Sequence, residues 1–243
     1  KAKDKLLLIR DRYGIKPLYY TENNDGVTFA SEIKSILQNP SINKKTNFQA
    51  IHDFISLHYV PGNETAFDGI YEVPPGTIIT WSEGRATKKK YYSFKNIFSL
   101  ENSFNYKALD ELPHTFDEAV SSQTISDVPI SVLISGGIDS SLVAEVISRF
   151  SEYKDIPSYT MKFNDTDYDE SKYATLVAKK LGFKHYIKQL TSNELDIETI
   201  ENTLLHFDQP FADSSLFPTY LISKEISPEV LLLFWQFTIK TLD

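Results

Sequence analysis

The sequence predicts an α/β protein in which a β-rich N-terminal part is followed by a part built around a parallel β-sheet. Two observations support this prediction. Short strand patterns separated by turns that contain Gly, Asn or Pro fill residues 1–98. From residue 106 onward, strand patterns alternate with helical patterns of about 10 to 15 residues, which is typical of right-handed βαβ units. With 41% hydrophobic residues among 243, the chain can bury a core in each part.

The N-terminal elements follow from local signals. The aliphatic run 5–9 predicts a strand, and the Asn-Asn-Asp-Gly turn at 23–26 predicts a hairpin. Ser31 and Asn47 are suited to cap two helices. The predicted elements of this part are strands 5–9, 18–20 and 27–30, helices 32–37 and 47–56, and strands 77–81 and 87–92.

A polar stretch at 99–105 is the predicted linker to the second part, which we expect to span residues 106–243. Its strands are expected to be parallel, with the helices packed against the sheet. Ligands of such sheets bind at the carboxyl ends of the strands. The predicted elements are helix 106–125, strand 129–134, helix 139–150, strand 157–163, helix 169–181, strand 184–188, helices 193–206 and 215–227, and strand 229–234.

The functional site is predicted in the loop after strand 129–134, whose sequence is Ser135-Gly136-Gly137-Ile138-Asp139-Ser140-Ser141. The two glycines let the backbone approach an anion, the helix start presents its positive end, and the three serine hydroxyls add donors. Such a loop is suited to bind phosphate groups. Asp139 would repel phosphate unless a divalent cation such as Mg²⁺ bridges them. The alternative interpretation is an ordinary glycine turn with an aspartate that caps the helix.

Composition excludes several classes of function. The chain contains no cysteine, which excludes disulfides, thiolate metal sites and a cysteine nucleophile within these residues. The net charge of −8 argues against a nucleic-acid partner, and the basic run 88–90 is interpreted as a solvated strand edge. No apolar run approaches the roughly 20 residues of a membrane span. The five histidines show no metal-ligand spacing, and His185 is expected to be a core or hydrogen-bonded residue.

Further short motifs occur in a fixed order along residues 5–230. They are Arg10-Asp11-Arg12-Tyr13-Gly14-Ile15-Lys16-Pro17, Ala30-Ser31-Glu32-Ile33-Lys34, Pro74-Pro75-Gly76, Ser126-Asp127-Val128-Pro129, the loop 135–141, Asp169-Glu170-Ser171, Leu181-Gly182 with His185, and Asp208-Gln209-Pro210 with Ala212-Asp213-Ser214-Ser215. This ordered set resembles the glutamine-dependent asparagine synthetases. In that family a class II glutamine amidotransferase domain precedes a synthetase domain similar to the ATP pyrophosphatases.

The resemblance implies that residues 1–98 form the C-terminal part of the amidotransferase domain. It implies that residues 106–243 form an incomplete synthetase domain with the α/β/α fold of the adenine nucleotide hydrolases. ATP and Mg²⁺ are the implied cofactors. The residues implied to bind ATP or its pyrophosphate are Leu133, Ser135, Gly136, Gly137, Asp139, Ser140, Ser141 and Met161, with Asp139 also a metal ligand. Core packing is the alternative explanation for Leu133 and Met161, which the resemblance places against adenine or ribose.

Other implied properties concern partners and neighbouring residues. The implied partners are ATP, aspartate or a similar carboxylate, and glutamine or ammonia. The implied location is the cytoplasm, and neither a nucleic acid nor a membrane is an implied partner. The resemblance also allows a homodimer of the full-length enzyme. The resemblance places Asp208, Asp213 and Ser214 near the synthetase pocket. A helix cap at Asp213 or Ser214 is an alternative explanation for these residues. Asp169 and Glu170 are expected to begin a helix.

Two departures from the family's pattern affect the expected activity. The N-terminal cysteine that attacks glutamine and the family's glutamine-holding residues lie before Lys1 or are absent. This chain alone is therefore expected to lack glutaminase activity, and no catalytic residue is assigned within it. The family's second loop, of the type Ser-Gly-Asp/Glu-Gly-x-Asp-Glu, has no match in residues 233–243. A shifted reading frame or a truncated gene model is the expected cause.

Three functions remain open on the sequence. The first is ATP-dependent asparagine synthesis from aspartate through a β-aspartyl adenylate, in the full-length enzyme. The second is a related adenylating amide ligase, similar to the β-lactam synthetases or acting on surface-polysaccharide carboxylates. The third is a catalytically inactive fragment that binds nucleotide at most. The chain alone is expected to be inactive.

Overall fold

The computed structural model of the chain describes residues 5–23, 26–93, 106–127, 129–149, 156–163, 169–191, 196–213, 215–226 and 232–234. The predicted linker 99–105 and the tail after residue 234 lie outside these ranges. The chain divides into two compact units, the first comprising Lys1–Ser103 with Leu205–Asp213 and the second Phe104–Leu204 with Ser214–Asp243. The prediction of a mixed α/β protein is confirmed.

Two antiparallel sheets form the first unit. Its elements are β1 (Lys5–Ile9), β2 (Tyr19–Asn23), β3 (Gly26–Ala30), α1 (Ile33–Ile36), α2 (Phe48–Leu57), β4 (Tyr71–Glu72), β5 (Thr77–Ser82) and β6 (Arg85–Lys90). One sheet has the strand order β1-β5-β6 and the other β3-β2-β4. Alternation along β1 buries Leu8 while Leu7 and Ile9 stay exposed, and Leu8 packs with Tyr20 and Ile79 in a core shared by both sheets.

Arg10 cross-links the loop that follows β1. Its guanidinium is buried, donates to the carbonyl oxygens of Val73 (2.7 Å) and Gly14 (2.8 Å), and forms an ion pair with Glu72 at 2.6 Å. Gly14 has φ +70°, and a side chain there would meet Pro75 at 2.8 Å. The arginine of the Arg-Asp motif is therefore a structural element of the first unit.

Asp11 organises the same loop from its other side. Its carboxylate accepts the N–H groups of Tyr13, Ile15 and Lys16 at 3.0 to 3.1 Å. Burial by itself would raise the pKa of Asp11, but these backbone N–H groups together with that of Gly14 outweigh it and hold the pKa below its usual value. The aspartate is thus stabilised as an anion that fixes the turn.

A four-stranded sheet forms the centre of the second unit. Its elements are α3 (Tyr106–Gln123), β7 (Ile130–Leu133), α4 (Ile138–Ser148), β8 (Pro157–Lys162), α5 (Ser171–Leu181), β9 (Lys184–Gln189), α6 (Ile197–His206), α7 (Leu216–Ile226) and β10 (Leu232–Phe234). The strand order is β10-β7-β8-β9, and every neighbouring pair is parallel. The strand order therefore changes direction at β7, and such a switch point is where open parallel sheets bind ligands.

Helices pack on both faces of this sheet because alternate residues of each strand point to opposite faces. One buried cluster joins β7 to α3, α4 and α5 and contains Val120, Ile130, Val132, Ile134, Ala144, Val146, Ile147, Ile156, Ala174 and Ala178. The opposite face carries Tyr159, Ile222 and Ile226 from β8 and α7, with Leu133 and Met161 packed against them. No helix in the described ranges combines the length and the apolar character that crossing a membrane requires.

Several observed element bounds differ from the predicted ones, and helix α1 has Glu32 rather than Ser31 at its N-cap position. The sequence missed β4, a strand of two residues that is too short to show a period. Strand β6 begins at Arg85 rather than 87, because Glu83 and Gly84 form a two-residue hairpin turn with φ +54° and +71°. Helix α5 begins at Ser171 rather than 169.

Candidate phosphate-binding site

The candidate site begins where β7 ends. Ile134 is buried, its N–H donates to the carbonyl of Tyr159 at 3.0 Å, and its own carbonyl accepts a hydrogen bond from the Thr160 hydroxyl. Both bonds tie the chain to the neighbouring strand β8. The first residue of the predicted loop, Ser135, therefore leaves the sheet from a fixed point at the carboxyl end of β7.

The three serine hydroxyls of the loop are bonded within the loop. The hydroxyl oxygens of Ser135 and Ser140 are 2.9 Å apart, and Ser135 Oγ accepts the N–H of Gly137 at 3.2 Å. The Ser141 hydroxyl donates to the Gly137 carbonyl at 2.6 Å. The sequence suggested these hydroxyls as donors to a ligand. In the structure they hold the loop in shape, so the loop is preformed.

The two glycines have different roles. Gly136 has φ +91°, and a Cβ there would lie 2.9 Å from both Ala174 N and Tyr173 Cβ and 3.0 Å from the Glu170 carbonyl. Gly136 therefore lets the loop touch the start of α5, a reason the sequence did not reveal. Gly137 has an ordinary φ of −72°, and a Cβ there would meet only Ser135 Oγ at 3.4 Å. A side chain is thus sterically possible at Gly137 but would narrow the space beside the loop.

The first turn of α4 supplies the electrostatics of the site. Gly137 is the N-cap residue and provides no side-chain capping bond, so the N–H groups of the first turn keep their capacity to bind an anion. Asp139 lies in that first turn and is exposed to solvent. An uncapped helix start with an accessible carboxylate fits a phosphate group accompanied by a divalent cation. Among the described residues, no group of three or more His, Asp or Glu side chains could hold a metal by itself.

Leu133 and Met161 lie on the same face of the sheet. Leu133 is the last residue of β7, and Met161 stands one residue before the end of β8. Both are partly buried against Tyr159, Ile222 and Ile226. The structure therefore brings Leu133 and Met161, the two residues predicted to contact adenine or ribose, together at the carboxyl edge of the sheet. Both also pack in the hydrophobic core.

Asp169 and Asp208, two acidic residues outside the loop, have local structural roles. Asp169 accepts the N–H of Ser171 at 3.1 Å at the start of α5, and the hydrogen bonding to Ser171 lowers the pKa of Asp169. Asp208 lies in the first unit, where its carboxylate accepts the N–H of Ile33. Asp213 is exposed, and Ser214 lies outside the described residues.

His185 pairs with Ser158 in the parallel sheet. Its Nδ1 lies 2.9 Å from the Ser158 hydroxyl, and its Nε2 is buried without a hydrogen-bond partner among the described residues. Burial lowers the pKa of His185, and the bond to Ser158 only partly opposes this. The histidine is therefore a neutral, hydrogen-bonded residue of the sheet, as the sequence suggested.

A pH dependence of stability follows from His185. Because the folded-state pKa is below the unfolded value of about 6.5, the unfolded chain takes up the proton first as the pH falls. We expect the stability of the second unit to be complete above about pH 6.5 and to decline below it. Urea unfolding at pH 7.5 and 5.5 should show this decline, and His185→Gln should reduce it. His114→Gln is the control, since that side chain is 76% exposed. An unchanged pH dependence in His185→Gln would contradict the assignment.

A preformed loop between a parallel strand and an uncapped helix is an arrangement that suits an α/β protein to bind phosphate groups. Comparison with known proteins makes the identity more specific. Residues 111–233 match the family model of asparagine synthase, and residues 1–92 match that of the glutamine amidotransferase domain. Because the first match alone covers half of the chain, the chain belongs to the asparagine synthase family.

Individual relatives agree with this assignment. Asparagine synthetase [glutamine-hydrolyzing] 1 of Bacillus subtilis is 33% identical over 91% of this chain and 34% of its own length. Asparagine synthetase [glutamine-hydrolyzing] 2 of the same organism is 30% identical over 87% of this chain and 30% of its own. Amidase chry2 of Gibberella zeae is 29% identical over 87% of this chain and 33% of its own. The chain thus spans about a third of the length of these relatives.

Proposed function

We propose that this chain is part of an ATP-dependent amide ligase that makes asparagine. An oxygen of the aspartate β-carboxylate attacks the α-phosphorus of ATP, which gives β-aspartyl adenylate and releases pyrophosphate. Ammonia, supplied as such or by hydrolysis of glutamine, then attacks the acyl carbon, and AMP leaves. The observation that carries the proposal is the phosphate-type loop 135–141, which lies within the stretch that matches the asparagine synthase family.

The loop residues have distinct roles in this proposal. The backbone at Ser135, Gly136 and Gly137 and the first turn of α4, which contains Ser140 and Ser141, hold the phosphates of ATP and stabilise the negative charge of the departing pyrophosphate. Asp139 is suited to hold Mg²⁺, which, when bound, neutralises part of the phosphate charge. Leu133 and Met161 provide the apolar surface for adenine.

The domain division belongs to the same proposal. Residues 1–98 are assigned to the amidotransferase domain and residues 106–243 to a synthetase domain of the adenine nucleotide hydrolase class, in a cytoplasmic protein. The all-parallel pairing of β10, β7, β8 and β9 and the helices on both sheet faces support the second assignment. A homodimer of the full-length enzyme stays a prediction.

A second candidate keeps the adenylation but changes the carboxylate that is amidated. The similarity to a fungal protein named as an amidase favours this alternative, because it shows that the shared sequence is not confined to proteins named asparagine synthetase. Substrates of the β-lactam synthetase or surface-polysaccharide type fall in this class. A third candidate is a chain that binds nucleotide without catalysis.

The test is an assay of the complete protein that carries this sequence, with ATP, Mg²⁺, aspartate and either glutamine or ammonium. We expect asparagine, AMP and pyrophosphate in equal amounts. Formation of ADP and phosphate would instead indicate an acyl phosphate intermediate and would contradict the proposed adenylate. AMP formation with a carboxylate other than aspartate would favour the second candidate, and binding without turnover would favour the third.

Changing Asp139 to asparagine should weaken the effect of Mg²⁺ on nucleotide binding. Removing the carboxylate removes a ligand of the cation while the loop backbone is kept, so the affinity for ATP with Mg²⁺ should fall about tenfold, or about 1.4 kcal/mol. Binding of ATP without Mg²⁺ should not weaken. Calorimetric titration with and without Mg²⁺ measures both. Glu145→Gln removes a negative charge from the same helix near its other end and serves as the control. Equal Mg²⁺ dependence in Asp139→Asn and the unmodified chain would rule out the role.

A further inference from the structure

The segment Leu205–Asp213 belongs to the first unit, although the residues on both sides of it along the chain belong to the second. Helix α6 leads into this segment and helix α7 follows it. The segment contains the Asp-Gln-Pro motif at 208–210, which the roles proposed for the loop 135–141 do not use.

Asp208 supplies the missing cap of helix α1. Glu32, at the N-cap position of that helix, makes no side-chain capping bond. Asp208 Oδ2 instead accepts the N–H of Ile33 at 2.5 Å, and the Asp208 side chain is only 10% exposed. Ile33 is fully buried, so its N–H relies on Asp208 rather than on water for a hydrogen-bond partner. Helix α1 is thus completed by a residue 175 positions further along the chain.

Gln209 satisfies a second backbone donor of the first unit. Its Oε1 accepts the N–H of the buried residue Ala66 at 3.1 Å, and its Nε2 lies 3.5 Å from the Tyr19 hydroxyl. Lys34 adds a bond from its ammonium to the carbonyl of His206 at 3.3 Å. Two consecutive side chains of the segment therefore bind separate parts of the first unit, near residues 33 and 66.

We infer that Leu205–Asp213 is a clasp that completes the first unit. Asp208 and Gln209 supply the acceptors for the N–H groups of Ile33 and Ala66, so the stretch 1–103 lacks two hydrogen bonds of its own unit until the chain reaches Gln209. Neither residue belongs to the phosphate loop.

The test of the clasp measures these contacts in the 243-residue chain. In Asp208→Ala/Gln209→Ala, hydrogen exchange at residues 33–37 and 66–67 should become about tenfold faster, and exchange in the loop 135–141 should be unchanged. Asp196→Ala is the matched control, because Asp196 accepts the N–H of Thr199 at 2.8 Å and caps α6 in the second unit. The control should leave exchange at 33–37 and 66–67 unaltered. Unchanged exchange at these residues in the double variant would overturn the clasp.

Discussion

Replacing Gly136 by valine is expected to destabilise the second unit by roughly 3 to 5 kcal/mol. Two effects add. A β-branched residue is strained at φ +91°, and its Cβ would lie about 3 Å from the backbone of α5 at Glu170 and Ala174, which cannot yield as a flexible side chain could. Because native domains are stable by only about 5 to 15 kcal/mol, we expect this variant to be partly unfolded and unable to bind nucleotide.

Gly182→Val separates the two effects. Gly182 ends α5 with φ +80°, but no atom lies within 4 Å of a Cβ built there. This control should therefore show backbone strain alone, about 1 to 3 kcal/mol. Hydrogen exchange resolved along the chain is the suitable measurement, because a single unfolding free energy is not defined for two units. Equal losses of stability in Gly136→Val and Gly182→Val would mean that the loop and α5 do not touch as described.

Replacing Arg10 by methionine should destabilise the first unit by about 3 kcal/mol. Methionine keeps much of the buried volume but removes the donors to Val73 and Gly14 and leaves Glu72 without its cation. Glu72 is 29% exposed and can regain some water, which keeps the loss below that of a fully buried pair.

Arg12→Met is the matched control for this prediction. Arg12 is exposed, and its Cζ lies 5.6 Å from the ring centroid of Tyr13 and 5.9 Å from that of Tyr92. Such exposed cation–π contacts contribute about 0.5 to 1 kcal/mol. Resistance of the first unit to proteolysis in urea should therefore fall steeply in Arg10→Met and slightly in Arg12→Met. Similar behaviour of both variants would contradict the cross-linking role of Arg10.

The sequence predicted those features that short stretches of chain determine. β7, the glycine loop and α4 were predicted within one or two residues, because an aliphatic run, two glycines and a helical period are adjacent in the chain. The hairpin of β2 and β3 was predicted for the same reason, from its turn residues. Local patterns thus suffice to locate the candidate site.

Features made by distant residues could not be predicted in this way. The capping of Ile33 by Asp208 joins residues 175 positions apart, and nothing near either residue indicates the other. Likewise, the sequence explained Gly136 by the approach of a ligand to the backbone. Helix α5, which also requires a glycine at this position, cannot be recognised as a neighbour from the local pattern. Such contacts depend on the tertiary arrangement, which propensities and periods do not encode.

The most direct test of the phosphate-loop assignment is a calorimetric titration of ATP with Mg²⁺ into the 243-residue chain and its Gly137→Ala variant. A Cβ at Gly137 meets only Ser135 Oγ at 3.4 Å, so the fold should be kept while the added methyl group keeps phosphate from the backbone. We predict binding to the unmodified chain and an affinity at least about tenfold lower in the variant, with an unchanged unfolding profile. Equal affinity in the two proteins, or no binding to the unmodified chain, would contradict the assignment.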